Sequence, residues 1–198
     1  MPKTIASSQE VAARWSFAEV TGRFATEYSQ NHTDDASVAL IAKIHNGAPF
    51  VSLNQTERDL LAHWFSTGYR QQMATTFYQW YTSFRLENWT KSKLARVHTL
   101  PIIDPLQQYR SLTFISYLAH PRKTINGTPD LRDPAVKADT VSMTTVFHQT
   151  EPLVIGHWND GRLVLWEGNF RAVLFARTPD PRATVEVWMP HEGSWPGK

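Results

Sequence analysis

The sequence lacks several features that would point directly to a class of protein. It contains no cysteine among its 198 residues, which excludes disulfide bonds, thiolate catalysis and metal sites built from cysteine. It has no apolar run of membrane-spanning length, and the N-terminal MPKTIASSQEVAARW has no signal-peptide core. The G-x-x-x-x-G-K-[ST] and G-x-S-x-G motifs are also absent, which excludes ordinary P-loop chemistry and a nucleophile elbow. We therefore expect a cytoplasmic protein without membrane insertion.

Charge is scarce as well. Charged residues make up 19% of the chain and the net charge is +2, so the composition does not require nucleic acid as a partner but is compatible with a local basic face. The eight histidines are scattered, and no two of them are spaced i, i+2 or i, i+4, which would put two metal ligands on one face.

Tryptophan, in contrast, is abundant, with eight residues. Trp15, Trp64 and Trp80 fall on periodic apolar faces, which favours core packing. Trp158 and Trp166 flank the most polar part of the C-terminal third, and for these two, stacking on nucleic-acid bases stays open as an alternative.

The pattern of the first half of the chain is helical. Ser7 with Glu10, and Asn54 with Glu57, have the spacing of capping boxes. A further helix through Val38 and Ala42 is expected to stop near Gly47. After Asn54, large apolar residues recur at helical spacing, and the pattern predicts helix as far as the last of them: Leu60, Leu61, Trp64, Phe65, Phe77, Trp80, Tyr81 and Phe84.

Beyond Lys93 the sequence pattern changes to short apolar runs, at Val97–Ile103 and Leu112–Leu118, which are separated by turn residues. Residues 121–137 are rich in proline, glycine, asparagine and aspartate, which indicates an irregular loop. Periodicity does not decide whether Val141–Phe147 is a strand or a short helix. We therefore predict a helical N-terminal region, residues 1–93, and an α+β domain, residues 94–198.

The C-terminal third gives the clearest succession of elements. Leu153–Ile155 and Leu163–Trp166 have the composition of buried strands, and Asn159-Asp160-Gly161 between them is a hairpin turn signal. After Gly168 the apolar spacing becomes helical as far as Arg177. Alternation at Ala183–Met189 predicts a last strand, which we expect Pro190 to end.

The segment Glu167-Gly168-Asn169-Phe170-Arg171 separates the second strand from the helix. A helix that begins after a glycine exposes backbone N–H groups and the positive end of its dipole, which suits a phosphate. Arg171 lies one turn into the helix and can bind the same phosphate through its guanidinium group. The alternative is structural: Gly168 serves a tight turn, and Glu167 and Arg171 form an ion pair.

The order of these elements, EPLVIGHWNDGRLVLWEGNFRAVLFAR…ATVEVWMP from Glu151 to Pro190, resembles the core of the ParB/sulfiredoxin superfamily. In that superfamily the G-x-x-R segment at the helix start binds nucleotide phosphates. The resemblance covers about a fifth of the chain, and LARVHTLPIID, from Leu94, matches the position of the superfamily's first strand. It implies an α+β fold in which the helical N-terminal region packs on a small mixed sheet of this type.

The resemblance also implies a set of site residues. The nucleotide-binding positions are Gly168, Asn169, Phe170 and Arg171, with ATP or another nucleotide as the ligand. Sulfiredoxin chemistry requires a cysteine in this turn, where the chain has Asn169, so that activity is excluded. Partition proteins usually have a second arginine where Phe170 stands, followed by a helix-turn-helix domain. The remaining resemblance is to small nuclease-like members, some of which act in plasmid biology.

Two functional hypotheses follow. The first is a nucleotide-binding ATPase and metal-dependent DNase, in which Arg171 stabilises the phosphate, and Glu167 or Asp160 holds a divalent metal ion or the attacking water. The second is a non-catalytic module that binds DNA or a protein partner, such as an inhibitor of conjugative DNA transfer. The short basic cluster with Arg122 and Lys123 is a candidate contact for the DNA backbone in either case, with a solvated loop as the alternative.

Overall fold

The structure is a computed structural model, and it describes residues 4–22, 24–68, 70–99, 112–120, 124–125, 128–130, 133–140 and 151–197. Within these residues the fold is α+β, with helices and a six-stranded mixed sheet in the order β1-β2-β8-β6-β7-β3. The chain divides into two units, one formed by Thr4–Phe84 with His191–Ser194 and one built on Arg85–Pro190. No helix in the described ranges is long and apolar enough to span a membrane.

The first unit is predominantly helical, as the sequence predicts. Its elements up to residue 80 are β1 (Ile5–Ser7), α1 (Ser8–Val20), α2 (Ala25–Asn31), α3 (Asp35–His45), a short 3-10 helix (Phe50–Ser52), α4 (Gln55–Thr67) and α5 (Gln71–Trp80). Ser7 accepts a hydrogen bond from the Glu10 amide at the start of α1. At α4, Asn54 and Glu57 form the complete capping box that their spacing predicts.

The core of this unit lies between α1 and α4 and is unusually aromatic. Trp15 and Trp64 are buried, and Trp15 contacts Phe65 with ring centroids 5.0 Å apart. One buried charge pair lies beside this core. The Arg70 Nε atom donates to Glu19 at 2.7 Å, and both residues are less than a tenth exposed. Because the two charges satisfy each other, the pair does not leave an uncompensated charge in the interior.

The predicted helix through Tyr81 and Phe84 is wrong, because the chain changes to strand β2 (Tyr81–Thr90) immediately after α5. Aromatic and β-branched residues favour strands, and Tyr-Thr-Ser-Phe satisfies that preference as well as a helical spacing. The rings of Phe77 and Phe84 are stacked with centroids 5.2 Å apart. Helix α5 and strand β2 therefore contribute to one aromatic cluster, and for that reason the helical spacing of large apolar residues continues past the end of the helix.

The second unit, built on Arg85–Pro190, contains the remaining helices and most of the remaining strand residues. After β2 come α6 (Lys91–Leu94), β3 (His98–Thr99), α7 (Phe114–Ala119), β4 (Thr124–Ile125), β5 (Thr128–Pro129), α8 (Pro134–Thr140), β6 (Leu153–His157), β7 (Leu163–Glu167), α9 (Asn169–Arg177) and β8 (Thr184–Gly193). The run at Leu112–Leu118 is therefore largely helix, and part of the predicted irregular loop is α8.

Strands β6 and β7 form the predicted hairpin. They pair antiparallel, with Gly156 opposite Val164 and His157 opposite Leu163, and Gly161 in the connecting turn has a φ of 83°. Strand β3 pairs parallel with β7, and β8 pairs parallel with β6. All five residues of β6 are buried, which is typical of a strand covered on both faces.

The last strand of the sheet is longer than its sequence predicts. Strand β8 continues through Pro190 to Gly193, so the expectation that proline ends it is wrong. The fixed φ of proline is compatible with an extended backbone, and proline removes only one hydrogen-bond donor. Val141–Phe147 lies outside the described residues.

Candidate functional site

The start of α9 is built on a glycine in a left-handed conformation. Gly168 has a φ of 90° and precedes the helix without any side-chain cap. The first intrahelical hydrogen bond runs from the Ala172 amide to the Gly168 carbonyl, at 2.7 Å. The amides of Asn169, Phe170 and Arg171 are therefore those that an α-helix leaves without an intrahelical partner, and they lie where an anion would meet the positive end of the dipole.

The Arg171 side chain folds back over this turn. One terminal nitrogen donates to the Glu151 carbonyl at 2.8 Å, and the other donates to the Glu167 carboxylate at 3.2 Å. The two charged side chains are 15% and 18% exposed, so the ion pair is largely shielded from solvent. These two contacts use two of the five guanidinium N–H donors. The structural alternative, an ion pair between Glu167 and Arg171, is therefore present.

Gly168 is required by its own surroundings. A Cβ atom at this position would lie 2.4 Å from Leu153 Cδ2 and 3.2 Å from a terminal nitrogen of Arg171. The space above the glycine is thus filled by the protein's own side chains. The absence of a side chain at Gly168 makes room for these neighbours and not for a ligand. An anion at this helix would bind beside the guanidinium group, at the amides that follow Gly168.

Asn169 and Phe170 complete the predicted nucleotide-binding positions. The Oδ1 atom of Asn169 is buried and has no hydrogen-bond partner among the described residues. The Lys137 ammonium lies over the Phe170 ring, 4.8 Å from its centroid, because α8 packs against α9. Lys137 thus brings a second cation to the start of α9. The sequence pattern missed it because it assigned residues up to 137 to a loop.

Asp160, the other predicted catalytic carboxylate, lies at the opposite end of β7. Its Oδ1 atom accepts from the Arg162 amide and from Arg162 Nε, at 3.2 Å and 3.1 Å. Since β7 begins three residues after Asp160 and ends at Glu167, and an extended chain rises roughly 3.3 Å per residue, Asp160 and Glu167 are not brought together. Asp160 instead lies near His98, whose pKa is lowered chiefly by burial and then by Arg162, against the opposing effect of Asp160.

The sequence also proposes residues for DNA binding, for base stacking and for metal binding. Arg122 and Lys123 lie outside the described residues. Trp166 is buried and its indole ring packs against Gly156, so it does not offer a surface for base stacking. In the described part of the chain, no group of three or more histidine, aspartate or glutamate side chains is arranged to hold a metal ion.

Comparison of the chain with protein-family models, with curated proteins and with solved structures finds no match.

Proposed function

We propose that this chain is a cytoplasmic nucleotide-binding protein of the ParB/sulfiredoxin type that acts on DNA, with the phosphates bound at the start of α9. The observation that carries the proposal is the uncapped helix N-terminus at Gly168 with Arg171 and Lys137 beside it. Backbone amides, a guanidinium group and an ammonium group are the three kinds of donor that phosphate sites combine.

The Glu167–Arg171 pair is compatible with phosphate binding. Arg171 keeps its bond to the Glu151 carbonyl while three guanidinium donors remain for a ligand. Glu167 holds the guanidinium over the helix start, and a phosphate that displaces Glu167 would gain a charge-assisted bond in its place. The carboxylate competes with the ligand and therefore lowers its affinity.

A non-catalytic module that binds DNA or a protein partner is the second candidate, and the position of Asp160 favours it over an ATPase and DNase. One of the two predicted catalytic carboxylates lies at the far end of β7, so Glu167 is the one of the two that lies at the proposed site. Glu167 is itself engaged by Arg171. Binding of a nucleotide without turnover requires neither carboxylate to be available.

Calorimetric titration with ATP tests the binding claim. Arg171→Ala should weaken binding at least tenfold, because a charge-assisted hydrogen bond contributes about 1.5–3 kcal/mol. Arg177→Ala is the matched control, since Arg177 lies at the other end of α9, where it pairs with Asp139 at 2.7 Å. Equal affinity of Arg171→Ala and the wild type would reduce the Glu167–Arg171 pair to a structural role.

Glu167→Gln separates the two candidate functions. The substitution removes the competing charge, so ATP should bind more tightly if the site takes phosphate. An ATPase and DNase that uses Glu167 would lose phosphate release and plasmid nicking, measured with and without a divalent metal ion. A binding module would show neither activity in the wild type. Activity that survives Glu167→Gln would contradict a catalytic role for this carboxylate.

A further inference from the structure

Helix α2 of the first unit is short and has a single buried residue. It spans seven residues, and Tyr28 is the one that is buried. The residue before the helix, Phe24, provides no side-chain cap. A helix of this length is not stable in isolation, because most helical stability comes from packing. The conformation of α2 therefore depends on the contacts that hold it against the rest of the unit.

One of these contacts is made by His32, the residue that ends α2. Its amide closes the last turn of the helix by donating to the Tyr28 carbonyl at 3.1 Å. Its imidazole ring is stacked on Trp64 of α4, with centroids 4.4 Å apart and an angle of 23° between the planes. The same ring is stacked on Tyr28, with centroids 5.5 Å apart. His32 thus connects the end of α2 to a buried tryptophan of α4.

The surroundings of the His32 imidazole favour its neutral form. Burial lowers the pKa of His32 below the ordinary 6.5, and the charge of His63 on α4 lowers it as well, against the opposing effect of Asp34. A charged imidazole would lose part of its hydration in the stacked position. The face of the Trp64 ring would attract that charge, so burial and the repulsion from His63 have to outweigh this attraction.

The other ionisable groups beside the three rings keep their charge near neutral pH. The Tyr28 hydroxyl donates to Glu19 Oε2 at 3.0 Å, and burial, with the charge of Glu19 added to it, raises the pKa of Tyr28, so the phenol stays protonated. The Glu19 carboxylate is paired with Arg70 at 2.6 Å. Among the described groups beside the rings, His32 and His63 are therefore those expected to titrate between roughly pH 5 and 8.

We propose that the contact between His32 and Trp64 is a pH-sensitive switch, which holds the end of α2 on α4 while the imidazole is neutral and releases it on protonation. The folded state binds the proton of His32 less tightly than the unfolded chain does. The stabilisation by the neutral ring is therefore complete above about pH 6.5 and is lost as the pH falls through the lowered pKa. Tyr28 remains bonded to Glu19, so the release is confined to the turn that follows Tyr28. This switch does not depend on the function proposed for α9.

A pH titration of the isotope-labelled full chain, followed by NMR between roughly pH 8 and 5, tests the proposal. The ring signals give the pKa of His32, and the Cα chemical shifts of Ser29, Gln30 and Asn31 give the helix content at the end of α2. We expect these Cα shifts to move toward coil values with the same midpoint as the His32 ring, below 6.5, while the Cα shifts of α4 stay constant. A His32 pKa above 6.5, or Cα shifts that do not follow the ring, would overturn the proposal.

Variants decide whether the His32 charge is responsible. His32→Phe keeps an aromatic ring for stacking and removes the titration, so the end of α2 should stay helical over the whole pH range. His63→Gln removes a repelling charge and should raise the pKa of His32, which moves the transition to higher pH. His45→Gln is the matched control, because His45 is an exposed histidine of the same unit whose ring bonds the Val20 carbonyl, and it should behave as the wild type. A transition that persists in His32→Phe, or that disappears in His45→Gln, would overturn the proposal.

Discussion

Substitution of Gly168 by alanine should destabilise the protein for two separable reasons. The first is conformational, because the φ of 90° lies in the region where a residue with a Cβ costs about 1–2 kcal/mol. The second is steric, because the new Cβ would approach Leu153 Cδ2 to 2.4 Å. Overpacking of this kind costs about 1–3 kcal/mol. The two costs add up to about 2–5 kcal/mol, a large part of the stability of a domain.

Gly161→Ala isolates the conformational part. Gly161 lies in the same unit and has a φ of 83°, but its nearest neighbour for a new Cβ is Gly197 Cα at 3.5 Å, an ordinary contact. The free energy of unfolding of both variants is measured by urea titration, with unfolding followed by far-ultraviolet circular dichroism. We expect Gly161→Ala to lose about 1–2 kcal/mol and Gly168→Ala to lose at least 1 kcal/mol more. Equal losses would show that Leu153 and Arg171 do not fill the space above Gly168, and would refute the argument that this glycine serves its own neighbours.

Two further predictions concern charged groups away from α9. Burial raises the pKa of Glu87, but hydrogen bonds from Lys93, Trp89 and Arg85 outweigh it and hold the pKa at about 2, below the ordinary 4.5. The stabilisation is therefore complete above about pH 4.5 and is lost as the pH falls toward 2. Glu87→Gln should cost about 1 kcal/mol near neutral pH and almost nothing near pH 2; a cost independent of pH would contradict this account. Glu19→Gln leaves the buried Arg70 charge uncompensated and should lower the free energy of unfolding in urea by about 3–5 kcal/mol. Glu10→Gln, at the partly exposed pair with Arg14, is the control and should lower it by less than about 1 kcal/mol. Similar losses would show that burial of the Glu19–Arg70 pair has no energetic consequence.

Local signals in the sequence predicted much of the secondary structure. The capping box at Asn54 and Glu57 and the hairpin turn at Gly161 depend on neighbouring residues alone, and both predictions are confirmed. The strand at Tyr81 was missed because a helix and a strand both contribute rings to one aromatic cluster. The spacing of these aromatic residues along the sequence is the same as in one long helix. Periodicity indicates which residues are buried, and here the pattern of buried residues did not distinguish a helix from a strand.

The candidate site was predictable only in its contiguous part. Gly168 and Arg171 are three residues apart, and the sequence is sufficient to place both at the start of α9. Lys137 and the Glu151 carbonyl reach the same place through packing of α8 on α9 and through the position of β6, and no local pattern encodes those contacts. Asp160 was predicted as an alternative to Glu167 for the acidic group, but strand β7 runs from the Asp160 turn to Glu167 and keeps Asp160 away from the start of α9.

The central claim is that phosphate binds at the start of α9, and the most direct test is the NMR response of three backbone amides. ATP is titrated into the isotope-labelled full chain, with adenosine as the control that lacks phosphate. The account predicts that the amide signals of Asn169, Phe170 and Arg171 shift with ATP and not with adenosine, and that Arg171→Ala reduces the shifts. If those three signals stay unchanged at saturating ATP, the account is contradicted and the Glu167–Arg171 pair is a structural feature of the turn.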